Sequence, residues 1–203
     1  MEGVTGIVLA GGRSRRLGRD KALLCFEGEP LVVRAVRLLK GLCPEVLVIT
    51  GEERRYTDLL DVPVVEDLVK GLGPLGGLYT ALAISSYDYN LVLACDMPLL
   101  EPRLLALLLG RIALTPQAEA IVPRVRGYLE PFPGVYHRRC LDKIQGLLRE
   151  GRLKIQGLLE ALDLALVPQE EVQVVMSVSG LRAFVNLNTP ADLGKLQLYD
   201  EIR

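Results

Sequence analysis

Short apolar runs alternate along this chain with segments of helical period, and that alternation restricts it to few architectures. Gly6-Ile7-Val8-Leu9-Ala10 is brief and flanked by glycine, and reads as a buried strand. From Pro30 to Leu42, the residues Leu31, Val32, Ala35, Val36, Leu38, Leu39 and Leu42 recur at close to helical spacing, with Pro30 at the start, which predicts an amphipathic helix. Val46 to Ile49, Val62 to Val65 and Leu91 to Ala94 predict three further strands. Leu75 to Ser85 and Pro102 to Arg111 predict further helices. Strands joined through helices need crossover connections, so the sheet should be mostly parallel with helices on both faces, a three-layer α/β arrangement. The second half is less regular: Ala120-Ile121-Val122 and Gly134-Val135-Tyr136 predict strands, and Arg139 to Arg149 and Lys154 to Leu162 predict helices. Thr189-Pro190-Ala191-Asp192 is a helix start, with Thr189 as cap and Pro190 first, and a last helix should run to about Tyr199. No repeat, linker or low-complexity segment divides the chain, so residues 1–203 are expected to form a single domain.

Half of the 203 residues are apolar and 24% are charged, which supplies a sizeable core. A formal net charge of −1 provides no field for nucleic acid or anionic membrane, and the absence of tryptophan weighs against a base-stacking surface. No nucleic-acid partner is expected. No apolar run has the length of a membrane span, and the N-terminus lacks an export pattern. Cys25, Cys43, Cys95 and Cys140 are scattered and form no CxxC pair, which suits reduced thiols in or near the core of a cytoplasmic protein.

The chemistry concentrates in Leu9-Ala10-Gly11-Gly12-Arg13-Ser14-Arg15-Arg16-Leu17-Gly18-Arg19-Asp20-Lys21, which leaves the carboxyl end of the first predicted strand. Ligands of open parallel sheets bind at that edge. Gly11 and Gly12 lack Cβ atoms and let the backbone approach a ligand with its N–H groups toward phosphate oxygens. Arg13, Arg15, Arg16, Arg19 and Lys21 repel one another unless an anion sits among them, and a triphosphate is such an anion. The loop is not a Walker A loop, since Arg19 follows Gly18.

Asp96 follows the run Leu91 to Ala94 at another carboxyl edge. A carboxylate facing a basic loop there suits Mg²⁺, which is held by one or two carboxylates plus substrate phosphates; the alternative is a helix cap. Gly71 to Gly76 spells GxGxxG, but Glu66 to Lys70 intervene after the strand, so it is not a dinucleotide fingerprint. Thr50 ends the second strand at the same edge. Asn186 and Asn188 alternate on an expected strand, where they either hydrogen-bond a pterin or polyphosphate or, for Asn188, lead into the helix cap. His137, the single histidine, is expected at a strand end without catalytic duty. A zinc site and a Ser-His-Asp hydrolase are not indicated.

The basic segment resembles the LAGGxSxRMGxDK signature of the molybdenum cofactor guanylyltransferases, with Leu17 in place of methionine. Val65-Glu66-Asp67 followed by Gly73-Pro74-Leu75-Gly76-Gly77-Leu78, then Cys95-Asp96-Met97-Pro98, then Asn186-Leu187-Asn188-Thr189-Pro190-Ala191-Asp192-Leu193 resemble three further stretches of that family in the same order. The resemblance implies a Rossmann-like nucleotidyltransferase sheet. It also implies magnesium-dependent transfer of GMP from GTP to the phosphate of molybdenum-molybdopterin, with pyrophosphate leaving. It places Arg16, Lys21 and Asp96 in catalysis, with Asp96 the metal ligand. Leu9, Ala10, Gly11, Gly12, Lys21, Thr50, Asp67 and Asp96 fall on the nucleotide, and Asn186 and Asn188 on the cofactor substrate. Thr50 stands where the family carries an amide. Leu9 and Ala10 are expected to offer carbonyl and N–H groups freed from the sheet to a guanine edge. Transient contact with proteins that donate or receive the cofactor is the partner expectation. The alternatives are cytidylyl transfer to the same acceptor, transfer to a sugar phosphate, and a non-catalytic nucleotide-binding protein.

Overall fold

The computed structural model describes residues 3–11, 20–51, 56–176 and 180–187. Its main sheet contains β1 (Val4–Leu9), β4 (Glu45–Thr50), β5 (Val64–Glu66), β6 (Tyr89–Ala94), β7 (Ala120–Val125), β9 (Gly134–His137) and β10 (Leu164–Pro168). The order is β10-β7-β9-β6-β1-β4-β5, and a short β8 (Tyr128–Leu129) pairs with β7. Only β9 of these seven runs against the rest: it is antiparallel to both β6 and β7, and β10 is again parallel to β7. The expected mostly parallel α/β sheet is what the chain forms.

Both sheet faces are apolar because successive residues of a strand point to opposite sides. Val4 and Val8 of β1, Val46 and Val48 of β4, and Leu91 and Leu93 of β6 pack with α1 (Leu31–Lys40), α3 (Pro102–Arg111) and α6 (Gln169–Val175). Ile7 and Leu9, Leu47 and Ile49, and Val92 pack on the other side with α2 (Gly73–Ile84), α4 (Leu141–Arg149) and α5 (Ile155–Ala161). Gly6 admits α1 to the sheet: a Cβ there would lie 3.0 Å from Leu39 Cβ and 3.3 Å from Cys43 Cβ. None of the helices described is long and apolar enough to cross a membrane.

Several expectations shift. The strand expected at Val62 begins at Val64, since Pro63 has no N–H and only its carbonyl is used, by Val48 N–H at 3.0 Å. Val185 to Leu187 form no strand but follow a 3-10 turn, Gly180–Phe184, so the expected alternation of Asn186 and Asn188 on a strand does not apply. Asn188 and the expected last helix lie outside the described residues, as do Gly12 and Arg16. Cys43 and Cys140 are buried as expected, whereas Cys25 is exposed. It opens a hairpin the periodicity did not reveal, β2 (Cys25–Phe26) with β3 (Glu29–Pro30). Glu27 and Gly28 turn that hairpin at φ 50° and 78°, the left-handed pair of a type I′ turn.

Candidate active site

From β1 the chain runs through α1 to β4 on one side, whereas from the adjacent β6 it runs through α3 to β7 on the other. Connections leaving neighbouring strands in opposite directions open a crevice at their carboxyl ends. The ends of β1, β4, β5 and β6 bring Gly11, Thr50, Asp67 and Asp96 to this one edge, although 85 residues separate the first and last in sequence (96 − 11).

Lys21 reaches the same edge on a 3-10 turn, Lys21–Leu23, that Asp20 caps by accepting from Ala22 N–H at 3.1 Å. The other Asp20 oxygen accepts from Tyr56 Oη–H at 2.6 Å. Lys21 Nζ stands 3.8 Å from Asp96 Oδ2 with the two side chains 25% and 21% exposed. Burial raises the Asp96 carboxyl above its ordinary value, and the Lys21 charge only partly opposes this. A carboxylate whose charge is incompletely compensated fits a hard dication that also binds phosphate oxygens. Among the described residues no three acidic, histidine or cysteine side chains gather into one group.

Asp67 closes the neighbouring wall. Its N–H donates to the Thr50 and Gly51 carbonyls at 2.9 and 3.0 Å, which ties the end of β5 to the end of β4. Asp67 is 9% exposed, and its Oδ1 has no hydrogen-bond partner among the described residues. Gly77, in the second turn of α2, leaves it room: a Cβ there would come within 3.5 Å of that oxygen and 3.3 Å of Leu9 Cδ2. Burial without a cation pushes the Asp67 carboxyl up to about 6.

Other expected contacts are placed differently from the reading of strand ends. The Leu9 carbonyl accepts from Cys95 N–H at 3.2 Å and Ala10 N–H donates to Ile49 O at 2.8 Å, so both groups belong to the sheet ladder instead of being free of it. Thr50 is buried, and its hydroxyl donates to the Val65 carbonyl at 3.3 Å. Gly11 lies against Gly51, where a Cβ would stand 2.9 Å from the Gly51 nitrogen. Asn186 is exposed beside the Asp96 loop, because Leu187 N–H donates to the Asp96 carbonyl at 2.9 Å while Leu187 itself packs with Phe26 and Leu31. His137 lies at the opposite edge, next to the start of β6: its ring meets Tyr89 edge-on at 4.7 Å, and Nδ1 accepts from Arg139 N–H at 3.0 Å.

Residues 6–173 match the MobA-like NTP transferase domain. The chain belongs to that family. As a member it is a nucleotidyltransferase. It is 34% identical to a probable molybdenum cofactor guanylyltransferase of Pelotomaculum thermopropionicum, over 97% of this chain and 93% of the relative. It is 32% identical to one so described from Bacillus cytotoxicus, over 97% of each. Among solved structures, the molybdopterin-guanine dinucleotide biosynthesis protein A of Archaeoglobus fulgidus superposes with a TM-score of 0.81 at 26% identity, covering 98% of this chain and 100% of that one. Two residues of this nucleotidyltransferase site had no signal in the sequence. Tyr56 reaches Asp20 from a loop, and Arg34 on α1 donates to the Pro98 carbonyl at 2.8 Å, across 64 positions.

Proposed function

We propose that this nucleotidyltransferase transfers GMP from GTP to the terminal phosphate of molybdenum-molybdopterin. The observation that carries this is the Lys21–Asp96 pair at the ends of β1 and β6, in a chain whose relatives over nearly their whole length are described as probable molybdenum cofactor guanylyltransferases. A phosphate oxygen of the acceptor attacks the α-phosphorus of GTP, the bond from that phosphorus to the bridging oxygen of the β-phosphate breaks, and pyrophosphate departs with the electron pair. Such a transfer needs in-line positioning and neutralised charge rather than a covalent intermediate. Lys21, with Arg16 from the basic loop, neutralises the triphosphate. The Gly11-Gly12 backbone approaches it. Asp96 holds Mg²⁺, which when bound supplies charge stabilisation at the phosphates. The unpartnered Asp67 oxygen accepts from the N–H groups of guanine or from a ribose hydroxyl. Asn186 and Asn188 serve the acceptor. Transient contact with cofactor-donating and cofactor-receiving proteins, in the cytoplasm, completes the reading.

Guanine presents an N1–H and an amine beside its O6 acceptor, and cytosine presents a different order, so a site built for guanine leaves a buried group unpaired against cytosine. One such group is worth ~1–3 kcal/mol, which sets a preference for GTP over CTP of at least about tenfold. Equal GTP and CTP should be offered to one acceptor pool with Mg²⁺, the product read by mass spectrometry and pyrophosphate followed in parallel. A product carrying mainly cytidine overturns the guanylyl assignment and leaves the nucleotidyltransferase class standing.

A further inference from the structure

We infer that Arg34 is a positioning residue that holds the Asp96 loop in register with Lys21. The inference rests on the reading of Asp96 as the carboxylate that holds the divalent cation. Asp96-Met97-Pro98 leaves β6 as an irregular segment, and backbone outside a strand keeps its shape only if its polar groups are tied elsewhere. Two of its three carbonyls are tied from outside the loop: Leu187 N–H donates to Asp96 O at 2.9 Å, and Arg34 Nε donates to Pro98 O at 2.8 Å. The second bond is charge-assisted and comes from a side chain only 20% exposed.

The rest of the guanidinium faces the segment that carries Lys21. Its Nη1 lies 3.1 Å from Glu27 Oε2 and 3.8 Å from Glu29 Oε2, and its carbon sits 5.3 Å from the centre of the Phe26 ring. These three residues form the β2–β3 hairpin that directly follows the Lys21–Leu23 turn. Glu29 is fixed in turn by a two-pronged pair of bonds from Arg37, each 2.9 Å. One planar fork therefore joins the two segments whose ends meet as Lys21 and Asp96. A lysine satisfies the carboxylates or the carbonyl but lacks the fork that serves both in fixed geometry. Groups bonded directly to a metal ligand are worth 10–100-fold in metal affinity, and Arg34, which acts on Asp96 through the loop at Pro98, is expected at the low end of that range.

The test uses Mn²⁺ as the probe with the full chain, binding being read as loss of the free-ion EPR signal and thermal unfolding measured alongside. Arg34→Lys and Arg34→Gln are each expected to weaken Mn²⁺ binding about tenfold, with Tm within about 3 °C of wild type. Should the lysine variant not fold, the glutamine variant carries the test. Arg37→Gln releases Glu29 but keeps the Arg34 bonds to Glu27 and Pro98, so it should lower Mn²⁺ affinity clearly less than the Arg34 variants do. Wild-type affinity in a folded Arg34 variant overturns the proposal, and so does an equal loss in Arg37→Gln, which would mark general damage to the hairpin. Asp96→Asn separates the two readings. If it loses Mn²⁺ binding while the Arg34 variants keep theirs, only the role of Arg34 falls. If it binds Mn²⁺ like wild type, the metal assignment falls and the proposal with it.

Discussion

Asp67 imposes a pH dependence on this fold. Its folded carboxyl titrates at about 6 against an ordinary 3.8, because it is buried with an oxygen that has no partner among the described residues. The folded chain thus binds that proton more tightly than the unfolded one. The stability associated with the group is complete below about pH 4 and is lost as pH rises through about 6, where the charge has to form in a site that disfavours it. Asp67→Asn removes the charge and keeps the shape. It is expected to raise the free energy of unfolding at pH 7.5 by up to about 3 kcal/mol, at ~1.36 kcal/mol per unit, and by only about 0.5 kcal/mol near pH 4. Urea denaturation at the two pH values checks this, and an equal gain at both would exclude titration as its cause. The same variant should bind GTP more weakly. A residue that stabilises when removed and weakens ligand binding when removed is one whose strain serves the ligand.

Strand ends set the spacing of the crevice, and Gly11 decides how closely two of them approach. A methyl group at Gly11 would lie 2.9 Å from the Gly51 nitrogen and 3.2 Å from its Cα, and neither backbone atom can swing aside. Gly11→Ala therefore has to part the segments that follow β1 and β4. We expect a loss of about 1–3 kcal/mol in urea denaturation, as for overpacking elsewhere, together with weaker GTP binding. Gly146 inside α4 is the contrast, since a Cβ there meets nothing within 4 Å. Gly146→Ala should stabilise by about 0.5–1 kcal/mol through helix propensity and leave nucleotide binding alone. A destabilised Gly146→Ala, or a neutral Gly11→Ala, would show that backbone clearance does not control these positions.

The described residues give no sign of dividing at the antiparallel strand. The core layer on the α1 side includes Val4 and Val172, and the layer on the α2 side includes Ile7 and Leu162, so each face is one continuous cluster across both halves of the sheet. A single domain over the full chain is our proposal, and it predicts a single cooperative transition. The chain has seven tyrosines and no tryptophan. Tyrosine fluorescence and far-UV circular dichroism should report the same urea midpoint. Two separated midpoints would mean that the β7-β9-β10 half unfolds on its own.

Local pattern settled the elements with a continuous buried face. β1, β4 and β6 contain the apolar runs Ile7 to Leu9, Val46 to Ile49 and Leu91 to Ala94 because both of their faces are buried, and α1 shows its period because one face is buried and the other is not. Pro102 as the first residue and Arg111 as the last of α3 were legible for the same kind of reason. The β2–β3 hairpin, β10 and α6 were not, since each is short and partly exposed, and a few residues at the margin carry too little periodic signal. At the site, glycines, cations and Asp96 could be read because their types and their positions at strand ends restrict what they do. What each strand-end group does was decided by the fold. Leu9 O and Ala10 N–H went to the ladder, the Thr50 hydroxyl turned to Val65, Asp67 was left with an open oxygen, and Arg34 met Pro98. Sequence restricts a residue's own chemistry and its local geometry, whereas the partner of a polar group is chosen by whichever distant segment the packed sheet and helices bring within 3 Å or so of it.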